Sequence, residues 1–513
     1  MDLSVLAEEA GDKAAYVMLP SEEVVTYREL DQRSNRCAHL MRSLGLMAGD
    51  HISILMENNV HLFEIAWAAQ RSGLIYTIIN THLQAAEAAY MVNDSLSELL
   101  FTSARQAERI NELRPLLNER CRIISVSGPL IGCGDYAQLV RSTSTQPLAD
   151  ESEGSDMLYS SGTTGRPKGI VVPEGGMSAG SDALVRIFRD LWKTTRESVY
   201  LSPAPLYHTA PLRSCMSVQR LGATVIVMEK FEPRDALAAI ERHRVTHSQW
   251  VPTMFTRMLR LPPEDRSRYD LSSLQVAVHA AAPCPRLIKE QMMAWWGPIL
   301  YEYYGATEGN GFVHITPEEW LAYPGSVGRA MGAEIHIVGE SGEEVETGAD
   351  GVVYLSGGSV FEYHNDPGKT RDAYNQQGWS TTGDIGHLDA EGHLYLTDRK
   401  TFMIISGGVN IYPQEIEDLL ISHPKVLDAA VFGIPEADLG EEVKAVVVPV
   451  DQSLIDGGLE DELAAYCRIN LAHYKCPRSF DFAETLPRDD NGKLYKRLLR
   501  DEYLTQPGTP LPT

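Results

Sequence analysis

The sequence predicts an α/β fold: a large N-terminal domain of layered sheets and helices plus a β-rich subdomain, then a small α+β C-terminal domain. Three observations carry this. Apolar β-branched runs alternate with amphipathic helical patterns over roughly the first 300 residues, as in α/β layers with largely parallel sheets. From about Pro324 to Leu396, short strand-like runs are separated by Gly-containing turns (SGEEV, GADG, AEGH), which suits an antiparallel unit. After Arg399 the texture changes again, to a compact mixture of two helices and two strands.

In the first unit, His51–Leu55, Cys121–Ser125, Ser198–Leu201, Thr224–Met228 and Val276–Ala280 read as strands. Arg28–Leu44, Val60–Ser72, Ser181–Lys193 and Pro233–His243 read as helices between them. In the last unit, Pro413–Ser422 reads as a helix with Pro413 near its start and Glu415 and Glu417 in its first turns, where the helix dipole favours acids. Val426–Phe432 and Val443–Val450 read as strands and Leu459–Leu471 as a helix. A chain of 513 residues is too long for one ordinary core. The division falls at 1–399 and 400–513, and the Pro/Thr tail Gln506–Thr513 is expected to be loose.

Composition narrows the function. The net charge of −25 would repel a polyanion over most of the surface, so nucleic acid is not an expected partner. No apolar run approaches the roughly 20 residues of a membrane span, so no stable membrane insertion is expected. The first residues, MDLSVLAEEAGDKAAY, carry acid early and lack a basic region before an apolar stretch, so a cytoplasmic location is expected. The seven cysteines are scattered with no CxxC spacing, which argues against a zinc knuckle or a disulfide framework.

The most informative stretch is Tyr159–Gly169, YSSGTTGRPKG. Gly162 and Gly165 let the backbone bring N–H groups close to an anion. Ser160, Ser161, Thr163 and Thr164 add hydroxyls, and Lys168 adds a positive charge. A flexible linker is the bland alternative, but this loop runs directly into the strand-like Ile170–Val172. The spacing is not that of a Walker A loop. Further clusters join it. Tyr304-Gly305-Ala306-Thr307-Glu308 suits purine stacking and support of Mg²⁺ near phosphates. Thr381-Thr-Gly-Asp384 offers a carboxylate after a tight turn, suited to ribose hydroxyls. Asp398-Arg399-Lys400 supplies cations, and PRDDNGK presents Lys493 from a glycine turn.

Taken in order, YSSGTTGRPKG, YGATE, TTGD, DRK with ISGG, and PRDDNGK resemble the core motifs of the acyl-adenylate-forming superfamily, and within it the bacterial fatty-acyl and steroid-acid CoA ligases. The resemblance runs from Thr26 to Lys493. It implies that ATP and a small-molecule carboxylic acid give acyl-AMP and pyrophosphate, after which coenzyme A takes the acyl group. It implies that Thr163, Thr164 and Lys168 cradle the β- and γ-phosphates, with Glu308 and Thr164 at Mg²⁺. Tyr304 would line the adenine site, Asp384 and Arg399 would bind ribose, and Lys493 would bridge carboxylate and α-phosphate. A mobile C-terminal domain would pivot at Lys400–Thr401 and bring Gly407 and Gly408 to the pantetheine channel. Thr401 and Phe402 depart from the family's usual hinge residues, which leaves the second pose less defined.

By position, the acyl pocket would draw on Tyr207, His208, Trp250, His279, Ala280 and Ala281. The small residues at Ala280–Ala282 favour a sizeable hydrophobic acid, medium-to-long-chain or polycyclic. His208 resembles the family's mobile residue near the carboxylate, with an ordinary loop histidine as the alternative. The GMSAG run at Gly176–Gly180 matches a serine-hydrolase elbow, but Pro173–Gly175 separates it from the preceding strand, so helix capping suits Ser178 better. Two other functions stay open: an amide synthetase that passes the acyl-adenylate to an amine, and an inactive nucleotide- or lipid-binding homologue. A homodimer is compatible with either enzyme reading.

Overall fold

The computed structural model describes residues 3–160, 167–171, 179–436, 438–488 and 492–505. Two sheets face each other across a shared layer of helices. One has nine strands, in the order Arg329–Ala330, Phe312–Ile315, Leu300–Gly305, Val276–His279, His247–Trp250, Val199–Ser202, Thr224–Met228, Ala14–Leu19, Glu23–Thr26. Its six central strands run parallel and its margins antiparallel. The other sheet has six parallel strands, with His51–Leu55 between Ile75–Ile78 and Leu99–Ser103.

The helices Tyr27–Ser43, Leu62–Arg71 and Thr209–Arg220 fill the space between the sheets and contribute to one large apolar core with strands of both. Tyr27–Ser43 starts where it does because Thr26 and Glu29 form a reciprocal capping box. Leu62–Arg71 is buried at every position, and its two charges are met inside: Arg71 lies 3.0 Å from Asp31 and 2.7 Å from Glu151, and Glu64 lies 3.0 Å from His61. Pro233–His243, Pro252–Leu259 and Arg286–Trp296 cover the outer face of the nine-stranded sheet. Ala85–Asp94 and Ala107–Leu113 cover the outer face of the six-stranded one. Parallel strands buried on both faces explain the continuous apolar runs of the sequence.

The Gly-rich region after Pro324 forms the expected antiparallel unit, with Glu334–Val338, Gly351–Ser356, Asp384–Leu388 and Leu394–Arg399 in that order. The segment beyond Lys400 builds its own five-stranded sheet around the long hairpin Val426–Glu436/Gly440–Pro449, and its own core with the helices Pro413–Ser422 and Leu459–Asn470. Three short strands, Leu158–Ser160, Lys168–Val171 and Glu362–Tyr363, form a separate sheet beside the cavity. One expected element is altered: the helical pattern Ser181–Lys193 is α-helical only over Asp182–Arg186 and widens to a π-turn at Ile187–Leu191. The wider turn sets Phe188 and Trp192 edge to face at 4.6 Å.

Candidate active site

A cavity of about 390 Å³ opens at the C-terminal ends of the parallel strands, beside the antiparallel unit. This is the usual place for ligands in an open α/β sheet, because loops leaving neighbouring strands diverge there. Strand ends deliver Ala281 after Val276–His279 and Gly305, Thr307 and Glu308 after Leu300–Gly305. The loop before helix Thr209–Arg220 delivers Tyr207 and His208, whose rings lie 4.5 Å apart.

Asp384 is the most organised group in the cavity. The Tyr304 hydroxyl donates to its Oδ2 at 2.7 Å and the Thr382 hydroxyl to the same oxygen at 2.8 Å. Arg399 Nε donates to Oδ1 at 2.9 Å. Asp384 raises the Arg399 pKa, and burial beside Asp384 raises that of the Tyr304 hydroxyl well above its usual value. The result is a fixed carboxylate with a permanent cation alongside.

On the opposite wall, Ser160 and Lys168 face each other across the short antiparallel pair, and both line the cavity. The Lys168 ammonium sits 4.5 Å above the Tyr363 ring, and Tyr363 in turn donates to Glu308 Oε1 at 3.0 Å. Burial, reinforced by Lys369, lowers the Lys168 pKa, while Glu308 and Asp366 oppose that shift. Glu308 is buried and reaches the same cavity. Its carboxylate, held by one tyrosine hydroxyl, suits a hard divalent cation such as Mg²⁺. Ser161, Gly162, Thr163, Thr164 and Gly165, and also Ser178, lie outside the described residues.

Lys493 lines this cavity and a second cleft of about 620 Å³ that runs between the nine-stranded-sheet unit and the C-terminal segment. Its turn is clamped from behind. Arg488 forms a bidentate pair with Asp428 at 2.6 and 2.7 Å and donates to the Gly492 carbonyl at 2.6 Å. Arg260, at the end of helix Pro252–Leu259, donates to the Val426 carbonyl at 2.7 Å across the cleft.

Some residues singled out in the sequence are elsewhere. Trp250 and His279 are fully buried on the far side of their strands, against Phe255, and line neither cavity. His279 sits 3.5 Å from Glu302, which pairs with the buried Lys289 at 2.6 Å. Ala280 is buried without lining the cavities, whereas Ala281, at φ +77, lines both. Trp295 and Trp296 pack against the outer core. Gly407 and Gly408 form the two-residue turn of the hairpin Ile404–Ser406/Val409–Ile411, with φ of 58° and 79°, and are solvent-exposed away from both cavities.

The structure also brings in residues that the sequence did not single out. Arg213 forms a buried pair with Asp156 at 2.8 Å and reaches toward the Thr307 carbonyl at 3.5 Å. Phe188, Trp192, Ser214, Tyr303 and Phe312 line the cavity, with Gln249 behind them. Strand parity was the available signal for the last: if Trp250 faces the outer core, Gln249 must face the other way.

Comparison with known proteins identifies the family. The AMP-binding enzyme family profile matches residues 4–363, and the profile of the AMP-binding enzyme C-terminal domain matches residues 415–493. A long-chain-fatty-acid–CoA ligase of Mycobacterium tuberculosis is 32% identical over 95% of each chain. A feruloyl-CoA synthase of Amycolatopsis sp is 33% identical over 93% of this chain and 94% of its own. The solved structure of the o-succinylbenzoate CoA synthetase of Bacillus subtilis with its acyl-adenylate intermediate superposes at a TM-score of 0.81, with 27% identity and 97% of each chain covered. The chain therefore belongs to the AMP-binding enzymes of the acyl-adenylate-forming superfamily, and by class it is an AMP-forming acid–thiol ligase.

Proposed function

We propose that this protein activates a hydrophobic carboxylic acid as acyl-AMP and transfers the acyl group to coenzyme A. The observation that carries the proposal is convergence: Lys493, Arg399, Asp384, Glu308 and Lys168 come from distant parts of the chain and line one cavity. In the first half-reaction an acid oxygen attacks the α-phosphorus of ATP, a P–O bond forms, and pyrophosphate leaves with the electrons of the bond that breaks. Negative charge accumulates around the α-phosphate, so the Lys493 ammonium would bridge attacking carboxylate and phosphate and lower the barrier. The Asp384 carboxylate would accept from ribose hydroxyls, with Arg399 fixing its direction and Tyr304 flanking the base. Ser160, Lys168 and Thr307 would hold the outer phosphates, and Tyr207 and His208 would flank the acid's carboxylate. Mg²⁺ bound at Glu308 would supply further charge neutralisation.

In the second half-reaction the thiol attacks the acyl carbon and AMP leaves. Gly407 and Gly408 face solvent here, so we propose that the division at 399/400 marks two domains. The C-terminal domain would turn about Lys400–Thr401 to bring that hairpin to the site. Thr401 in the pivot and Phe402 beside it, whose ring lies 5.1 Å from the Lys496 ammonium, keep an amine acceptor in view. The test is pyrophosphate release across a panel of acids, with coenzyme A, with candidate amines, and with neither. Acid-dependent release and a coenzyme A thioester product are expected. Release of ADP and phosphate instead of AMP and pyrophosphate would overturn the reading.

A further inference from the structure

The cavity has an aromatic end that also carries hydrogen-bonding groups. Phe188 meets Trp192 edge to face at 4.6 Å, Trp192 tilts against Tyr303 at 5.9 Å, and Tyr303 stacks on Phe312 at 5.3 Å and 24°. All four rings line the cavity. A continuous aromatic wall of this kind rewards a flat ring through offset and edge contacts more than it rewards a flexible alkyl chain.

Two hydroxyls, those of Ser214 and Tyr303, reach the same end, and both are tied to the buried Gln249. Ser214 Oγ donates to Gln249 Oε1 at 2.6 Å, and Tyr200 donates to that same oxygen at 3.0 Å. Gln249 Nε2 donates to the Tyr303 oxygen at 2.9 Å. Ser214 has thus spent its proton and keeps acceptor lone pairs, while Tyr303 has accepted and keeps its proton. No described residue accepts that proton. Burial pushes the Tyr303 pKa up to about 12, so the hydroxyl remains a donor near neutral pH. The wall therefore offers one donor and one acceptor side by side, and a ring hydroxyl satisfies both at once.

We infer that the acid is a compact aromatic carboxylic acid bearing a hydroxyl on its ring away from the carboxylate, and that Tyr303 and Ser214 select it. This rests on the adenylation reading of the same cavity. An acid without the hydroxyl would bury the donor and the acceptor unpaired, which is the strong form of discrimination available to a binding site.

The experiment measures ATP-dependent pyrophosphate release by the intact protein on matched acids: 3-phenylpropenoic against its 4-hydroxy derivative, benzoic against 4-hydroxybenzoic, with octanoic and palmitic acids alongside. The hydroxylated member of at least one pair should exceed its partner in kcat/KM by about tenfold or more. Tyr303→Phe, which keeps the ring and its stacking, and Ser214→Ala should each move that ratio toward one. A ratio near one in both pairs, a straight-chain acid as the best substrate, or an unchanged ratio in both variants overturns the assigned class. Pyrophosphate release with none of these acids also overturns the assigned class, whereas ADP and phosphate as products contradict the adenylation reading itself.

Discussion

A carboxylate binds hydroxyls well when its neighbours hold it charged and aimed, and Asp384 has three such neighbours within 2.9 Å. Asp384→Asn keeps the shape, but the amide nitrogen cannot accept the bonds that the carboxylate oxygen accepts. Removing the charge also leaves Arg399 without its partner. The expected result is a KM for ATP raised by about tenfold or more with a smaller fall in kcat, read from initial rates of pyrophosphate release. At this scale the sequence was informative about charged residues and uninformative about their partners. Asp384 and Arg399 stood out in TTGD and DRK, but nothing linked Tyr363 to Glu308, 55 positions apart. The acyl side was misread for a reason of parity. Trp250 and His279 were visible as large side chains at strand ends, yet a strand buried on both faces gives no apolar–polar alternation to say which face holds the cavity. Gln249, one residue before Trp250, has the cavity side.

Among the elements, helix Pro413–Ser422 carries an uncommon load of buried acid for its length. Glu417 pairs with Lys496 at 2.8 Å, both nearly inaccessible, and Lys496 also lies over Phe402. Asp418 is half-buried and lines the cleft. Burial pushes its pKa to about 7 from 3.8, aided by Glu417 and Asp398 and opposed by Gln414 and Lys496. The sign follows from proton binding. Between those two values the folded state holds a proton that the unfolded state has released, so stability falls as pH rises through that window and is level above it. Asp418→Asn should therefore remove that slope, gaining about 2–3 kcal/mol on the parent protein between pH 5 and pH 8, read from urea midpoints at the two pH values. Glu417, whose pKa is also raised by burial, would leave a residual slope of the same sign. This helix was legible to its ends, as were His51–Leu55, Thr224–Met228 and Pro233–His243, because Pro, Gly and acidic residues punctuate clean periodic runs. The π-turn at Ile187–Leu191 was not, since its sequence is equally compatible with a regular helix.

For the molecule as a whole, the proposed turn of the C-terminal segment would decide which half-reaction can run. In this pose Gly492 packs so closely that a Cβ would fall 2.2 Å from Thr253 Oγ1, at a φ of +75° that disfavours other residues. Thr253 belongs to helix Pro252–Leu259, the same helix that Arg260 ties to Val426. Gly492→Ala should thus strain this pose specifically. The expected outcome is ATP–pyrophosphate exchange lowered by about tenfold or more, with thioester formation from supplied acyl-AMP much less affected. Equal losses in both assays would point to a general defect rather than to the pose. The α/β layering with largely parallel sheets followed from strand and helix alternation, but the placement of the final segment against the cleft depends on contacts hundreds of residues apart, which local patterns do not encode.

The most direct test concerns Lys493, which lines both the cavity and the cleft. Lys493→Ala removes the charge assigned to the bridge between carboxylate and α-phosphate. ATP–pyrophosphate exchange should fall by about 100-fold or more, while supplied acyl-AMP is still converted to thioester in the presence of coenzyme A. Exchange at the unmutated rate would contradict the account.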